Sequence, residues 1–436
     1  MLKVALSLSA CLMVLSWGEV VACLALISLL FLLSKPAGLE TTCFSFELDY
    51  FSWALIALTL WVTTASMLSS TKVKNSSKSS ALYLLVLVSM CVSLCLTFSV
   101  SSSVVFYILF ETCLIPILVI ILGWGYQPER AQAGLYLLFY TMFGSLPLLI
   151  IVLHCSNLMG SSYLFSTGAS MTGLLSALCL SLAFLIKFPM YGAHLWLLKA
   201  HVEAPVAGSM LLAGVLLKLG GFGLIRMFYF LDYNFLIMKE LAASVSLWGG
   251  LLMSLNCLRH MDMKVLIASS SVVHMSACVI ALFILSDWSV KGCLLMMLAH
   301  GVCSSGLFSL ANMVYERTNS RSMVVAKGLL NITPTLALCW FLMLTANMAA
   351  PPTINLSSEI MLLISLVSWD LITIGPLILL GFFSATYSLY LFSMSQHGVF
   401  NKTKSALNNS SLLELLIVFV HWIPLNALIL AVMFMF

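Results

Sequence analysis

The sequence has 436 residues, of which 62% are hydrophobic and only 8% are charged. Because soluble domains carry about 25% charged residues, this composition excludes a soluble globular protein and a disordered chain. The formal net charge of +4 offers no basic stripe and argues against nucleic acid as a partner. A mean hydropathy of +1.12 predicts an all-α polytopic membrane protein.

Apolar stretches long enough to span a bilayer, about 20 residues each, follow one another along the chain. Polar residues, glycine and proline divide the sequence into fourteen segments, predicted as about 14 transmembrane helices. Their approximate ranges are 2–16, 19–34, 51–69, 81–98, 104–122, 132–153, 172–198, 205–230, 235–256, 263–285, 289–315, 333–368, 371–395 and 412–433. Only Trp17, Gly18 and Glu19 separate the first two segments, so residues 2–34 form either one helix or two.

The basic residues between segments are unevenly divided between the two sides of the predicted membrane. Loops after odd-numbered segments hold Lys72, Lys74, Lys78, Arg130, Lys199, Arg259, Lys264, Arg317, Arg321, Lys327, Lys402 and Lys404. The other side holds Lys3, Lys35, Arg226, Lys239 and Lys291. The positive-inside rule therefore places the first group on the matrix or cytoplasmic side.

Two segments are interrupted by proline, which removes a backbone donor from a helix. The seventh contains Lys187-Phe188-Pro189, and the twelfth contains Ala350-Pro351-Pro352. Breaks five segments apart predict two inverted five-helix repeats, formed by helices 4–8 and 9–13, with a transport site at mid-depth. The predicted parts of this single membrane domain are helices 1–3 (1–80), the first repeat (81–230), the second repeat (235–396) and helix 14 (397–436).

Four charged residues lie deep within predicted spanning segments, away from their ends: Glu111, Lys187, Lys218 and Glu359. Each costs roughly 2.5–3.5 kcal/mol at the bilayer centre, which argues for pairing, hydration or a function. One interpretation is structural: Glu111 neutralises a lysine and fixes helix register. The other is a proton relay, because burial brings both lysine and carboxyl groups towards neutrality. In that relay Glu111 and Lys187 form a switchable pair, Lys218 receives the proton and Glu359 passes it on.

Histidines supply further relay candidates, namely His201, His274 and His300. An intramembrane histidine is equally explained as a hydrogen-bonded link between helices. Opposed histidine pairs for a haem, a nucleotide-binding loop and clustered metal ligands are not found, so the sequence predicts no cofactor or metal in this chain. The thirteen scattered cysteines are interpreted as buried apolar side chains.

Several motifs resemble a known family. Phe110-Glu111-Thr112-Cys113-Leu114-Ile115-Pro116 matches the pattern F-E-x-x-L-I-P. Other matching runs are Trp124 to Arg130, Phe139 to Thr141, Gly144 to Pro147, Lys187 to Gly192, His194 to Leu197, Lys199 to Pro205, Ala207 to Met210, Leu217 to Gly221, Tyr315 to Thr318 and Pro351 to Leu356. Together they resemble the chain-4 subunits of mitochondrial NADH–ubiquinone oxidoreductase, respiratory complex I. The resemblance covers about residues 81–400, and the first 80 and last 35 residues carry little family signal.

The resemblance implies an Mrp-type antiporter-like subunit that translocates protons within complex I. Glu111, Lys187, Lys218 and Glu359 correspond to the family's relay positions, and His201, His274 and His300 to its histidine positions. It also implies a mitochondrial inner-membrane location and two flanking antiporter-like chains, with NADH, FMN, iron–sulfur clusters and ubiquinone bound by other subunits. Phospholipids, with cardiolipin a candidate, are further expected partners. Ser357 and Ser358 stand where the family usually has Leu-Gly, beside Glu359.

Two other functions remain open at the level of sequence. A cation/proton antiporter subunit of the Mrp type would have the same fold and lysines without a redox enzyme. A structural spacer would hold distal subunits and would have no use for the charges inside the membrane. The Tyr315-Glu316-Arg317-Thr318 run and the Lys199 to Pro205 run favour the respiratory family.

Overall fold

A computed structural model describes residues 2–11, 16–34, 40–42, 46–76, 79–160, 162, 173–228, 236–399 and 410–435. The first helices are α1 (Leu2–Cys11), α2 (Trp17–Leu33), α3 (Tyr50–Ser69), α4 (Thr71–Ser76), α5 (Ser80–Ser99), α6 (Ser103–Thr112), α7 (Leu114–Trp124), α8 (Arg130–Met159), α9 (Leu174–Lys187), α10 (Leu195–Glu203), α11 (Val206–Leu211) and α12 (Leu217–Met227). The later helices are α13 (Leu236–Cys257), α14 (Met263–Ile284), α15 (Asp287–Thr318), α16 (Met323–Ala326), α17 (Pro334–Asn347), α18 (Ile354–Trp369), α19 (Ile374–Gln396) and α20 (Leu412–Met435).

The helices confirm a multi-pass membrane architecture. Within the described ranges, nine helices are long and apolar enough to cross a membrane, or ten if one bent pair counts as a span. Three shorter apolar helices add to these: α2, α9 and α18. Residues 12–15, which would decide whether the first two segments join, lie outside the described residues, as do Lys35, Lys78, Lys402 and Lys404.

The predicted break in the seventh segment is confirmed. Helix α9 ends at Lys187, where the Phe188 N–H still donates to the Phe184 carbonyl at 2.6 Å. Pro189 has no N–H with which to continue the hydrogen-bond series. The chain resumes as α10 at Leu195. Lys187 therefore lies at a helix end inside the span.

The twelfth segment is interrupted as well. Its halves, α17 and α18, have 14 and 16 residues, about 21 and 24 Å at 1.5 Å per residue. Each is shorter than the roughly 30 Å of a hydrocarbon core. The peptide bond between Pro351 and Pro352, in the break, is cis. Glu359 follows in the second turn of α18.

Two further irregularities were not predicted. The fifth segment is divided at Cys113 into α6 and α7, and Pro116 cannot donate to the Thr112 carbonyl four residues earlier. In the eighth segment, a π-helical turn at Leu212–Leu216 separates α11 from α12. Such turns place one more residue in the helical ring and redirect nearby carbonyls. Each irregularity lies within five residues of a predicted relay residue.

A small antiparallel ribbon adds to the all-helical prediction. Strand β1 (Glu40–Thr42) pairs with β2 (Phe46–Leu48), with Glu40 opposite Leu48 and Thr42 opposite Phe46. An isolated bridge joins Phe46 to Val100, just after α5. The ribbon therefore fixes the chain immediately before Asp49, which precedes α3.

The chain divides into two compact units by its internal contacts. The first comprises Met1–Phe188 and Glu203–Met238, and the second comprises Pro189–Val202 and Lys239–Phe436. The boundaries of the two inverted repeats stay a prediction.

Candidate functional site

Lys187, a predicted relay residue in the first unit, is buried, with 3% of its surface exposed. Its Nζ donates a hydrogen bond of 2.7 Å to the backbone carbonyl of Phe110. The same ammonium lies 3.0 Å from the centroid of the Phe110 ring. Both partners are neutral groups that stabilise a cation. Phe110 was not identified from the sequence as a functional residue.

Glu111 is half-buried in the last turn of α6, and its two carboxylate oxygens are buried. Its charge is within electrostatic reach of Lys187. Within the described residues the carboxylate makes no ion pair of 4.0 Å or less with Lys187, so the predicted switchable pair would act through electrostatic attraction without direct contact. The ammonium lies instead on the carbonyl of the residue before Glu111, because the Lys187 side chain leaves the end of α9 towards the junction of α6 and α7. The nearby Ser145 hydroxyl, on α8, lies close to the carboxylate.

Lys218 is completely buried in α12. Its Nζ donates to the backbone carbonyl of Ala213, which lies in the π turn. In that turn the Leu217 N–H reaches back five residues to the Leu212 carbonyl. The π turn thus shifts the carbonyls in the turn before Lys218, and one of them receives its ammonium. Apart from Gly214, no residue of the sequence indicates this turn.

Two glycines hold α12 close to the end of α9. A Cβ on Gly220 would lie 2.6 Å from both the Cβ and the backbone N of Phe188. A Cβ on Gly223 would lie 2.2 Å from the Phe184 ring. Close approach of this kind is available only to glycine. It places the helix that carries Lys218 directly against the residues on either side of Lys187.

Four aromatic rings surround this contact. The Phe110 and Phe184 rings are 5.4 Å apart, and Phe106 lies 6.4 Å from Phe184 and 6.0 Å from Phe222. All four side chains are buried. Lys187 and Lys218 are therefore set in an apolar, aromatic environment, which penalises an uncompensated charge.

In the second unit, the structure brings Glu359 and His274 together. Glu359 Oε1 lies 3.6 Å from His274 Nδ1. The opposite ring nitrogen, Nε2, shares a hydrogen bond of 3.1 Å with the Tyr387 hydroxyl, in which the donor depends on the ring tautomer. The imidazole thus has a carboxylate on one side and a hydroxyl on the other. An imidazole in this position can accept a proton at one nitrogen and release one from the other.

His274 and Glu359 also line a cavity of about 90 Å³ in the second unit. Its other lining residues are largely apolar, with Ser384 on the α19 side. The cavity is large enough for a few water molecules, and its polar groups could hold them. The ring of the buried His300 lies 5.8 Å from that of His274. Three predicted relay residues therefore form one cluster.

His201 is also in the second unit and is completely buried. Its ring stacks on that of Phe308, with centroids 4.9 Å apart and planes inclined by 4°. Stacking on an apolar ring fixes the imidazole orientation. The structure therefore supports an ordered position for His201 in α10 and leaves its relay role a prediction.

Two basic residues that we assigned to loops are in fact buried in helices. Arg226, in the last turn of α12, is 6% exposed and pairs with Asp49 at 2.5 Å. Lys264, in the first turn of α14, is 2% exposed and donates to the Val202 carbonyl at 3.5 Å. The predicted segment 205–230 already contained Arg226, and its position eight residues after Lys218 could have indicated that it is buried in the same helix.

Within the described ranges, no group of three or more His, Cys, Asp or Glu could hold a metal ion.

Comparison with protein families agrees with this architecture. Residues 101–388 match the family described as NADH:quinone oxidoreductase/Mrp antiporter, transmembrane part. Residues 1–97 match the family described as NADH-ubiquinone oxidoreductase chain 4, amino terminus. The second match corrects our expectation that the first 80 residues carry little family signal.

Curated relatives named NADH-ubiquinone oxidoreductase chain 4 align with this chain over most of their length. NADH-ubiquinone oxidoreductase chain 4 of Aedes aegypti is 48% identical over 398 residues, covering 88% of this chain and 86% of the relative. The protein of that name from Ceratitis capitata is 46% identical over 389 residues, with the same coverage of 88% and 86%. The protein from Locusta migratoria is 40% identical over 422 residues, covering 96% and 95%.

Among solved structures, the chain is similar to one in respiratory complex I from Thermus thermophilus with bound NADH. The TM-score is 0.87 at 23% identity, covering 98% of this chain and 94% of that one. This likeness shows the antiporter-like fold, and the sequence relatives show the family. The chain belongs to the NADH-ubiquinone oxidoreductase chain 4 family of antiporter-like membrane subunits.

Proposed function

We propose that this chain moves protons across the membrane by means of buried lysine, histidine and carboxyl side chains. As a member of the chain 4 family, it is a membrane subunit of respiratory complex I, the enzyme that couples NADH oxidation by ubiquinone to proton translocation. The chain contributes to that activity as a translocase and carries out no redox chemistry of its own. The proton-handling residues proposed here are Glu111, Lys187, Lys218 and Glu359, with His201, His274 and His300 as secondary sites.

The position of Lys187 carries the proposal. Its ammonium is buried on a carbonyl oxygen and an aromatic face, with Glu111 in electrostatic reach but not bonded to it. Neutral partners hold the cation without requiring it to remain charged. A purely structural ion pair would place the carboxylate on the ammonium, because breaking such a pair in an apolar site is costly.

The same arrangement explains how a distant change could release the proton. If a neighbouring charge draws Glu111 away, Lys187 loses an attraction that favours its charged form. Its proton is then transferred more readily, and Lys218 is the next basic group along the packed helices α9 and α12. In this scheme Glu111 acts as the switch and the two lysines as carriers.

The cluster of the second unit supplies a different kind of step. Glu359, His274 and Tyr387 form a continuous series of groups able to exchange protons, beside a cavity that can hold water. Histidine and carboxyl groups hold protons near neutral pH more weakly than lysine does. We therefore assign uptake or release of the proton to this cluster, with His300 as an accessory group.

The wider assembly follows from the family. Other subunits of complex I are the partners of this chain, and we propose that two of them are flanking antiporter-like chains. Those other subunits would bind NADH, FMN, the iron–sulfur clusters and ubiquinone. The location proposed is the mitochondrial inner membrane, with the loops after odd-numbered segments in the matrix and phospholipids such as cardiolipin around the helices.

The alternative function, a free Mrp-type cation/proton antiporter subunit, shares the long central family match but not the amino-terminal one. Migration of the chain on a native gel with NADH dehydrogenase activity distinguishes the two. Comigration supports complex I, whereas migration without that activity supports the antiporter.

The relay itself is tested by Lys218→Gln in assembled complex. We expect normal assembly with loss of rotenone-sensitive NADH oxidation and of coupled proton pumping, because glutamine cannot carry the proton. Lys239→Gln, which removes a half-buried lysine from the first turn of α13, is the control. Full pumping by the Lys218 variant at normal assembly would refute the relay.

A further inference from the structure

A buried ion pair lies on the same helix as Lys218. Arg226 NH2 is 2.5 Å from Asp49 Oδ2, and the two side chains are 7% and 16% exposed. Arg226 belongs to the last turn of α12, and Asp49 immediately precedes α3. The proton path proposed for this chain does not include this pair. Few charges are placed inside a membrane protein without a functional or structural reason.

The pair is aligned with Lys218 along one side of α12. Lys218, Phe222 and Arg226 follow at intervals of four residues, so each lies one turn beyond the last. The Arg226 guanidinium lies 5.0 Å from the centroid of the Phe222 ring. It therefore leans back towards Lys218, as helical side chains lean towards the N-terminus. Phe222 separates the two cations and is itself buried against Phe98 and Phe106.

We infer that the Asp49–Arg226 pair sets the proton affinity of Lys218, so that Asp49 is a positioning residue for proton transfer. The inference rests on the proposed function of Lys218. The negative charge of Asp49 opposes the field that Arg226 exerts along α12. When the pair opens, Asp49 opposes the positive charge of Arg226 less strongly, and Lys218 releases its proton more readily.

The size of the effect follows from the helix geometry. Eight residues at 1.5 Å per residue separate the two cations by about 12 Å. Coulomb's law with an effective dielectric constant of about 20 then gives about a tenfold change in the proton affinity of Lys218. A tenfold change corresponds to a shift of about one pH unit in any rate limited by that protonation step.

Other groups act on Lys218 and must be held constant. The titratable groups on the described elements that contact α12 or the π turn are Asp49 just before α3, Tyr50 on α3, Tyr83, Cys91 and Cys95 on α5, Tyr107 and Glu111 on α6, and Cys179 and Lys187 on α9. The variants below change only the Asp49–Arg226 pair.

The test measures proton pumping against pH in assembled complex reconstituted into vesicles. Asp49→Asn removes the carboxylate charge that opposes Arg226 in this pair, so the pH of half-maximal pumping should fall by up to about one unit. Arg226→Gln leaves the aspartate unbalanced, so it should rise by about one unit. The double variant and Arg226→Lys should both restore the wild-type profile. If the pair had only a structural role, both single variants would lose pumping activity, and their pH of half-maximal pumping would not shift in opposite directions.

The chain offers a matched control in its second unit. Arg317 and Glu414 form an ion pair of 2.6 Å, with side chains 9% and 15% exposed. Glu414→Gln removes a comparable charge and should leave the pH profile unchanged.

The outcome separates this inference from the proposed function. If Lys218→Gln abolishes pumping while both single variants shift the profile in the same direction, or not at all, the inference is wrong and the relay stands. If Lys218→Gln pumps normally, the relay itself fails. Asp49→Asn keeps the shape of the side chain and an acceptor oxygen, so it should assemble. If Arg226→Gln does not, the downward shift of Asp49→Asn and its reversal in the double variant decide the matter.

Discussion

Gly220 offers a test of how closely the two lysine-bearing helices must approach. In Gly220→Ala the new Cβ would lie 2.6 Å from the backbone N of Phe188 and 2.8 Å from the backbone O of Phe184. Neither backbone atom can be moved by changing a side-chain rotamer. Helix α9 and helix α12 must therefore separate where Lys187 ends α9.

The required displacement can be read from the contacts. Ordinary Cβ contacts begin at 3.4 Å, so the helices must move apart by roughly 0.8 Å in this densely packed region. Overpacking costs about 1–3 kcal/mol, and alanine returns about 1 kcal/mol in helix propensity. The chain should therefore still assemble. A misplacement near 1 Å can reduce a positioned transfer step by about a hundredfold, so we expect pumping to fall by one to two orders of magnitude.

Assembly on native gels and pumping in vesicles would be measured on the same preparations. Gly123→Ala, on α7, is the control because nothing lies within 4 Å of its added Cβ. We expect the control to assemble and pump as the wild type does. Wild-type pumping by Gly220→Ala at full assembly would show that this close approach does not serve proton transfer.

Two further substitutions test the contacts of individual relay residues. Tyr387→Phe removes the hydroxyl bonded to His274 and should slow pumping several-fold at unchanged assembly, since such a bond is worth about 0.5–1.5 kcal/mol. The control is Tyr390→Phe, which removes a hydroxyl that contacts a methionine sulfur and should not slow pumping. Equal effects of the two substitutions would argue against a role for the bond to His274. Phe110→Leu keeps the carbonyl that binds the nearby ammonium but removes the aromatic face, worth about 0.5–2 kcal/mol. Its half-maximal pumping should shift down by about one pH unit, whereas Phe106→Leu should show no shift; matching profiles would refute the cation–π contribution.

Much of this protein was readable from its sequence. Hydrocarbon admits only backbones that satisfy their own hydrogen bonds, so long apolar runs determine spanning helices. The prolines at 189 and 351–352 determine the two breaks, because the missing N–H is a local property of the residue. Charges placed within apolar segments identify candidate relay residues for the same local reason, and Glu111, Lys187, Lys218 and Glu359 all lie in helices.

The partners of those charges were decided only by the tertiary structure. Lys187 lies on the Phe110 carbonyl rather than on Glu111, and the π turn supplies a carbonyl to Lys218. Hydropathy along a chain reports which residues avoid water, but it does not report which neutral acceptor a buried cation will reach.

The pairing of distant residues shows the same limit. Asp49 and Arg226 are 177 positions apart in the sequence and 2.5 Å apart in the structure. Tyr387 likewise reaches His274 from another helix. The sequence determined which residues could carry charge inside the membrane. Helix packing, through close contacts at Gly220 and Gly223, decided which of them act on one another, because electrostatic and hydrogen-bond energies depend on separation in space.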